Sequence, residues 1–169
     1  ADAFCTNAAA SACAKGGRWK QAASALAKLW WHALRANTVS YNAGISACEK
    51  GERWEVALGL LAAMLQQGMQ PDAISYNAAI SACEKCGCWG HGLGALTRLR
   101  AHGLVPEVVS YSATIGACRR CDRWDRALAI LERMAQTGMP ADPYSYSAAA
   151  GACGATRQWQ RVVMLSTSG

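Results

Sequence analysis

The sequence predicts an all-α chain, an α-solenoid of stacked helix–turn–helix repeats. Three observations predict it. Cysteines recur every 35 residues, at Cys13, Cys48, Cys83, Cys118 and Cys153. Tryptophans keep the same 35-residue period at Trp19, Trp54, Trp89, Trp124 and Trp159. The strings around them align without a gap: CTNAAASACAK from Cys5, SYNAGISACEK from Ser40, SYNAAISACEK from Ser75, SYSATIGACRR from Ser110 and SYSAAAGACGA from Ser145. The 169 residues therefore read as a single solenoid of four full units, about 3–37, 38–72, 73–107 and 108–142, and a partial unit 143–169.

Each unit reads as two helices. The first runs from about Val39 to Lys50, where Ala43, Ala47 and Cys48 form a narrow face of small residues that lets a neighbouring helix approach closely. Gly51-Glu52-Arg53 makes the turn. The second helix runs from about Trp54 to Gln67, with Trp54, Ala57, Leu58, Leu61, Met64 and Leu65 as its apolar stripe. Gly68 ends it and Pro71 lies just beyond; Asp72 then caps the next first helix, and Asp142-Pro143 repeats that arrangement. In the third unit, Gly90, Gly92 and Gly94 fall inside the second helix. Each costs roughly 0.5–1 kcal/mol relative to Ala, so this helix is expected to fray or bend first. Two helices of this length cannot bury their apolar faces alone, and stacking gives them one shared core.

Composition narrows the classes. Apolar residues make up 52% of the chain, which argues against disorder. The formal charge of +6 leans toward anionic partners. No apolar stretch is long enough for a membrane span, and no membrane partner is expected. The first twenty residues lack the pattern of a secretory signal.

Helical geometry then places chemistry on one face. At 100° per residue, Val39, Asn42, Ser46 and Lys50 project within about 80° of one another. Every unit supplies the same rows. The apolar row is Phe4, Val39, Ile74, Val109 and Tyr144. The amide or hydroxyl row is Asn7, Asn42, Asn77, Ser112 and Ser147. The cationic row is Lys15, Lys50, Lys85 and Arg120, broken at Ala155. Stacked helices sit about 8–10 Å apart, so the rows form ladders. Unstacked bases need a flat apolar surface, a polar group at their edge and positive charge for their phosphates. Single-stranded RNA is the expected partner, with the apolar row stacking bases and the cationic row holding phosphates. The competing expectation is a protein-binding helical scaffold using the same face. A third places this chain beside the catalytic domain of an RNA-processing enzyme.

The nine cysteines are an odd number and cannot all pair. The periodic five read as small core residues, too far apart in adjacent units for disulfides, which fits a reducing compartment. Cys83-x-x-Cys86-x-Cys88-x-x-His91 has a zinc-like spacing, but Cys83 belongs to the core series and no metal is expected. The periodic Trp read as packing between units. His32, His91 and His102 stand at non-equivalent positions with no organised nucleophile or carboxylate, so no catalytic residues, cofactor or small-molecule substrate is expected.

The 35-residue length, the Tyr-Asn start of the first helix, the Ala-Leu pairs Ala57-Leu58 and Ala127-Leu128, and the Gly68-x-x-Pro71-Asp72 ending together resemble the pentatricopeptide repeat, in its plain 35-residue subclass. The first unit departs most, with Thr6 in place of Tyr. The resemblance implies a right-handed superhelix that reads RNA one base per repeat, in organellar RNA processing, stability or translation. A plastid or mitochondrial site of action follows from it, as do further RNA-processing proteins as partners. It also implies that base identity is set by the residue after the Tyr together with the last residue of the unit. Those pairs are Asn7 with Asn37, Asn42 with Asp72, Asn77 with Glu107, and Ser112 with Asp142, while Ser147 has no partner within the chain. By the same resemblance the footprint is pyrimidine–U–pyrimidine–G.

Overall fold

The computed structural model describes residues 37–153 together with Lys20, Gln21, Ser24 and Gln160. Among the described residues there are seven helices and no strand. They are α1 (Thr38–Lys50), α2 (Trp54–Gln66), α3 (Ala73–Lys85), α4 (Trp89–Ala101), α5 (Val108–Arg120), α6 (Trp124–Gln136) and α7 (Pro143–Cys153). Odd-numbered helices are the first helices of the repeats and even-numbered ones the second.

The same local chemistry starts the first helices. Asn37 Oδ1 accepts from the Ser40 amide at 2.9 Å. Asp72 Oδ1 accepts from the Ser75 amide at 2.8 Å, and Asp142 Oδ1 from the Ser145 amide at 2.8 Å. At α5 the Glu107 amide donates back to Ser110 Oγ at 3.2 Å. Each cap satisfies backbone donors that the first turn leaves open. The serines are buried at 0–1% exposure, a setting in which an unbonded hydroxyl would be costly.

The helix ends are also built alike. The Met69 amide donates to the Met64 carbonyl at 3.0 Å while the Gly68 amide donates to Leu65 at 3.0 Å. This paired closure recurs at Gly103 and Gly138, and at the turns after α1, α3 and α5. It requires a left-handed residue. Gly68, Gly87, Gly103 and Gly138 supply it, with φ from 68° to 74°. In the turns after α1 and α5 the same conformation falls on Glu52 (φ 54°) and Asp122 (φ 51°), where a side chain opposes it.

The chain divides into two compact units, 1–82 and 83–169, with the boundary inside α3. In the first, α1 packs against α2. Tyr41, Ile45 and Cys48 are fully buried there, as is Met64, and Leu61 is nearly so. In the second, α5 packs against α4, α6 and α7, and α6 also meets α7. With neighbours on so many sides, α5 is buried without interruption from Ser110 to Cys118, a stretch of small residues apart from Tyr111 and Ile115.

The glycine-rich α4 forms a full helix from Trp89 to Ala101. Ala95, Leu96 and Leu99 are buried on one side of it, and that packing outweighs the poor propensity. Gly92 is buried where an added Cβ would stand 3.5 Å from Cys83 Cβ, an ordinary contact, so the glycine is not forced by space.

Candidate nucleic-acid interface

The apolar row lies on the surface. Val39 and Ile74 are each 64% exposed, Val109 58% and Tyr144 46%. These are four of the five large apolar residues exposed among the described residues, and they share one repeat position. Ordinary core packing therefore does not account for them. Phe4, Asn7 and Lys15 lie outside the described residues.

Beside this row the amides and hydroxyls take distinct states. Asn42 is half-buried, and its Nδ2 donates to both carboxylate oxygens of Asp72, at 3.1 and 3.0 Å. Its Oδ1 accepts from the Ser75 hydroxyl. Asp72 thus caps α3 and orients Asn42 with one carboxylate. Burial pushes this carboxyl upward, but hydrogen bonds from the Ser75 amide and hydroxyl and from Asn42 outweigh it and hold Asp72 below its ordinary value of 3.8. Asn77 is half-buried at the equivalent position. Ser112 is buried, and its hydroxyl donates to the Val109 carbonyl at 3.1 Å. Ser147 is exposed and donates to the Tyr144 carbonyl at 2.9 Å. A serine hydroxyl is short enough to bond its own preceding turn, whereas the longer amide reaches the next repeat. Asn37 and Glu107 stand exposed at helix starts, and Asp142 is half-buried at its own.

In the cationic row Lys50 and Arg120 are exposed and Lys85 is half-buried. Arg119 adds a second exposed cation beside Arg120.

These features sit on repeats that family comparison recognises. The family model described as PPR repeat family matches residues 36–85, and that described as PPR repeat matches 74–104 and 109–139, together more than half of the chain. The chain belongs to the pentatricopeptide repeat family. A search of curated proteins finds no match for this pentatricopeptide repeat chain. Among solved structures it is similar to the pentatricopeptide repeat protein PPR10 in complex with an 18-nt psaJ RNA element, at 25% identity and TM-score 0.80. The match covers 99% of this chain and 24% of that one, so the chain spans about a quarter of PPR10. A crystal structure of PPR10 from maize matches at 24% identity and TM-score 0.82, over 98% of this chain and 24% of that one. The PPR domain of Arabidopsis thaliana protein-only RNase P 1 in complex with tRNA matches at 13% identity and TM-score 0.81, over 94% and 84%. The all-α solenoid of helix–turn–helix repeats is thus the fold of this pentatricopeptide repeat chain.

The repeat face also holds residues that sequence reasoning missed. The Tyr144 hydroxyl donates to Glu84 Oε1 at 2.5 Å, bridging residues 60 apart in sequence. Accepting that bond, Glu84 pushes the Tyr144 hydroxyl above its ordinary range, with burial adding to the effect. Gly116 lies beneath: a Cβ there would collide with the Glu84 carboxylate and stand 2.9 Å from the Tyr144 hydroxyl. Gly151 likewise leaves room for Arg119, whose Nε would lie 2.8 Å from an added Cβ. One signal was available, since Ser46, Ser81, Gly116 and Gly151 are again 35 residues apart. In the first compact unit Ser81 Oγ donates to Glu49 Oε1 at 3.0 Å, so glycine at this position replaces a polar partner with space.

The remaining sequence candidates are placed as follows. Cys48, Cys83, Cys118 and Cys153 are buried, and Cys13 lies outside the described residues. Cys86 and Cys88 are half-buried in the turn after α3, and Cys121 is exposed. Among the described residues no three His, Cys, Asp or Glu side chains converge as a metal would require. Trp54, Trp89 and Trp124 are half-buried rather than core. Trp89 carries the Arg123 guanidinium over its ring at 4.5 Å, a cation–π contact that the repeat pattern did not reveal.

Proposed function

We propose that this chain binds single-stranded RNA, one base per repeat, without cutting it. The observation that carries the reading is the exposed row Val39, Ile74, Val109 and Tyr144, in step with the polar row that includes Asn42. An exposed apolar side chain gains nothing from the protein interior. A base laid against it removes apolar area from water, and a neighbouring amide meets the base edge with both a donor and an acceptor. The row Lys50, Lys85 and Arg120 supplies phosphate contacts, so binding weakens steeply with salt. The likeness to PPR10, a structure that contains an RNA element, supports the reading.

In the finer reading Asn7 with Asn37 takes a pyrimidine, Asn42 with Asp72 takes U, Asn77 with Glu107 a pyrimidine, and Ser112 with Asp142 G. The site of action is organellar RNA processing, stability or translation, in a plastid or mitochondrion. Family resemblance supports that placement. The test is fluorescence anisotropy with labelled oligonucleotides at low salt. RNA containing pyrimidine–U–pyrimidine–G is expected to bind roughly tenfold tighter than a purine-only RNA, about 1.4 kcal/mol. Equal affinities reject the base-by-base reading, and no binding to either RNA favours the protein-scaffold alternative.

A further inference from the structure

A groove of about 490 Å³ lies between the second helices α4 and α6. Leu93, Leu96 and Ile130 line it, with Tyr111 of α5 as a buried floor residue. Arg100, Arg126 and Arg133 also line it, all three are exposed, and no acidic side chain is among its lining residues. One repeat earlier the equivalent positions hold Leu65, His91 and Arg98, so the threefold cationic rim is particular to this pair of repeats. Arg126 reaches Asp125 at 3.4 Å. Arg100 and Arg133 have no carboxylate partner among the described residues. Three like charges gathered round an apolar floor leave an electrostatic demand that, among the described residues, only Asp125 meets, and only at Arg126. The groove is on second helices, whereas the ladders are on first helices, so the proposed RNA reading makes no use of it.

We propose that this groove docks an acidic amphipathic helix from a protein partner. Its aliphatic side chains would enter between α4 and α6, and its carboxylates would meet Arg100, Arg126 and Arg133. The charge complementarity selects acidic ligands, and the aliphatic lining selects a peptide over a nucleic acid. A buried base edge needs both donors and acceptors. Here the Thr97 hydroxyl already donates to the Leu93 carbonyl at 2.9 Å, Tyr111 is 2% exposed and offers no face, and the arginines supply donors alone. An amphipathic helix presents only aliphatic groups to such a floor and places its acids at the rim.

The test uses the full chain and a labelled helical peptide of about 15 residues. It carries Leu at i and i+4 with Glu on both flanks, and a control replaces Glu by Lys. Saturable binding of the acidic peptide is expected, at least about tenfold tighter than the control. R100E/R133E should weaken it by at least about tenfold, and R100Q/R133Q by a smaller factor, with circular dichroism unchanged. RNA affinity of both variants should match that of the parent chain. No saturation, equal binding by R100E/R133E, or displacement of the peptide by single-stranded RNA would each overturn the proposal. The peptide result does not depend on whether the RNA reading holds.

Discussion

The side chain of Asn42 is held at both ends: Nδ2 donates to the two carboxylate oxygens of Asp72 at 3.1 and 3.0 Å, and Oδ1 accepts from Ser75. The two residues stand 30 apart in sequence, Asn42 within α1 and Asp72 just before α3, so the amide orientation is set by the cap of α3. Fixing the amide in advance lowers the ordering cost of binding a base edge.

Replacing Asp72 separates its two roles. D72A removes the α3 cap and the Asn42 partner, and about 1–2 kcal/mol of stability should be lost in urea unfolding. D72N retains a side-chain acceptor for the Ser75 amide and should lose less. Base preference should change in both variants at the Asn42 position alone, measured with RNAs substituted one base at a time.

The depressed Asp72 carboxyl sets a pH window. A folded-state pKa below the ordinary 3.8 means that its contribution is fully present at neutral pH. It is lost as pH falls below that ordinary value and through the lower folded one. Urea midpoints of the parent chain should therefore fall more steeply than those of D72N across this acidic range. Parallel curves would show that Asp72 is not the group responsible.

Gly116 makes room for the Tyr144–Glu84 bond. In G116A the new methyl group must displace the Glu84 carboxylate, and the variant should lose on the order of 1 kcal/mol. Against an E84A background the same change should cost less, since the carboxylate is gone and only the Tyr144 hydroxyl remains close to the added Cβ. A double-mutant cycle reads that coupling, and additive losses would count against it.

Left-handed positions should respond unequally to substitution. Gly138 has φ 68° and nothing near its Cβ direction, so G138A isolates the backbone term and should cost about 1–2 kcal/mol. Asp122 adopts φ 51° with a side chain, and D122G should be close to neutral, because relief of strain offsets the added freedom of the unfolded chain. Thermal midpoints of the two variants decide it.

Thiol reactivity should divide by burial. Desolvation pushes Cys48 and Cys118 up to about 11 and Cys83 up to about 12. Iodoacetamide at about pH 8 should therefore modify the exposed Cys121 before these three and reach them only on unfolding. Mass spectrometry of partly labelled protein gives the order directly.

Much of the fold was legible because one pattern is repeated. The caps at Asp72 and Asp142, the stop at Gly68 and the stripe through Ala57, Leu61 and Met64 depend on neighbours within a few residues, and each is where local rules place it. The completeness of α4 was less legible, because propensity weighs one helix alone, whereas burial of Leu96 and Leu99 involves its neighbours. The outward direction of Val39, Ile74 and Val109 was legible from helical angle. Glu84 was not, since its partner Tyr144 comes from a helix two repeats further on.

The amino-acid order by itself determined the 35-residue period, the helix pairs, their caps and the side chains sharing a face, because short-range backbone geometry governs all of these. Tertiary structure alone decided that Asn42 is tied to Asp72 while Ser112 turns back on Val109, that Tyr144 meets Glu84, and that three arginines surround a groove. The reason is physical. Such contacts depend on rotamers and on side-chain distances between helices far apart in sequence, and a difference of one bond length in reach, amide against hydroxyl, selects a different partner.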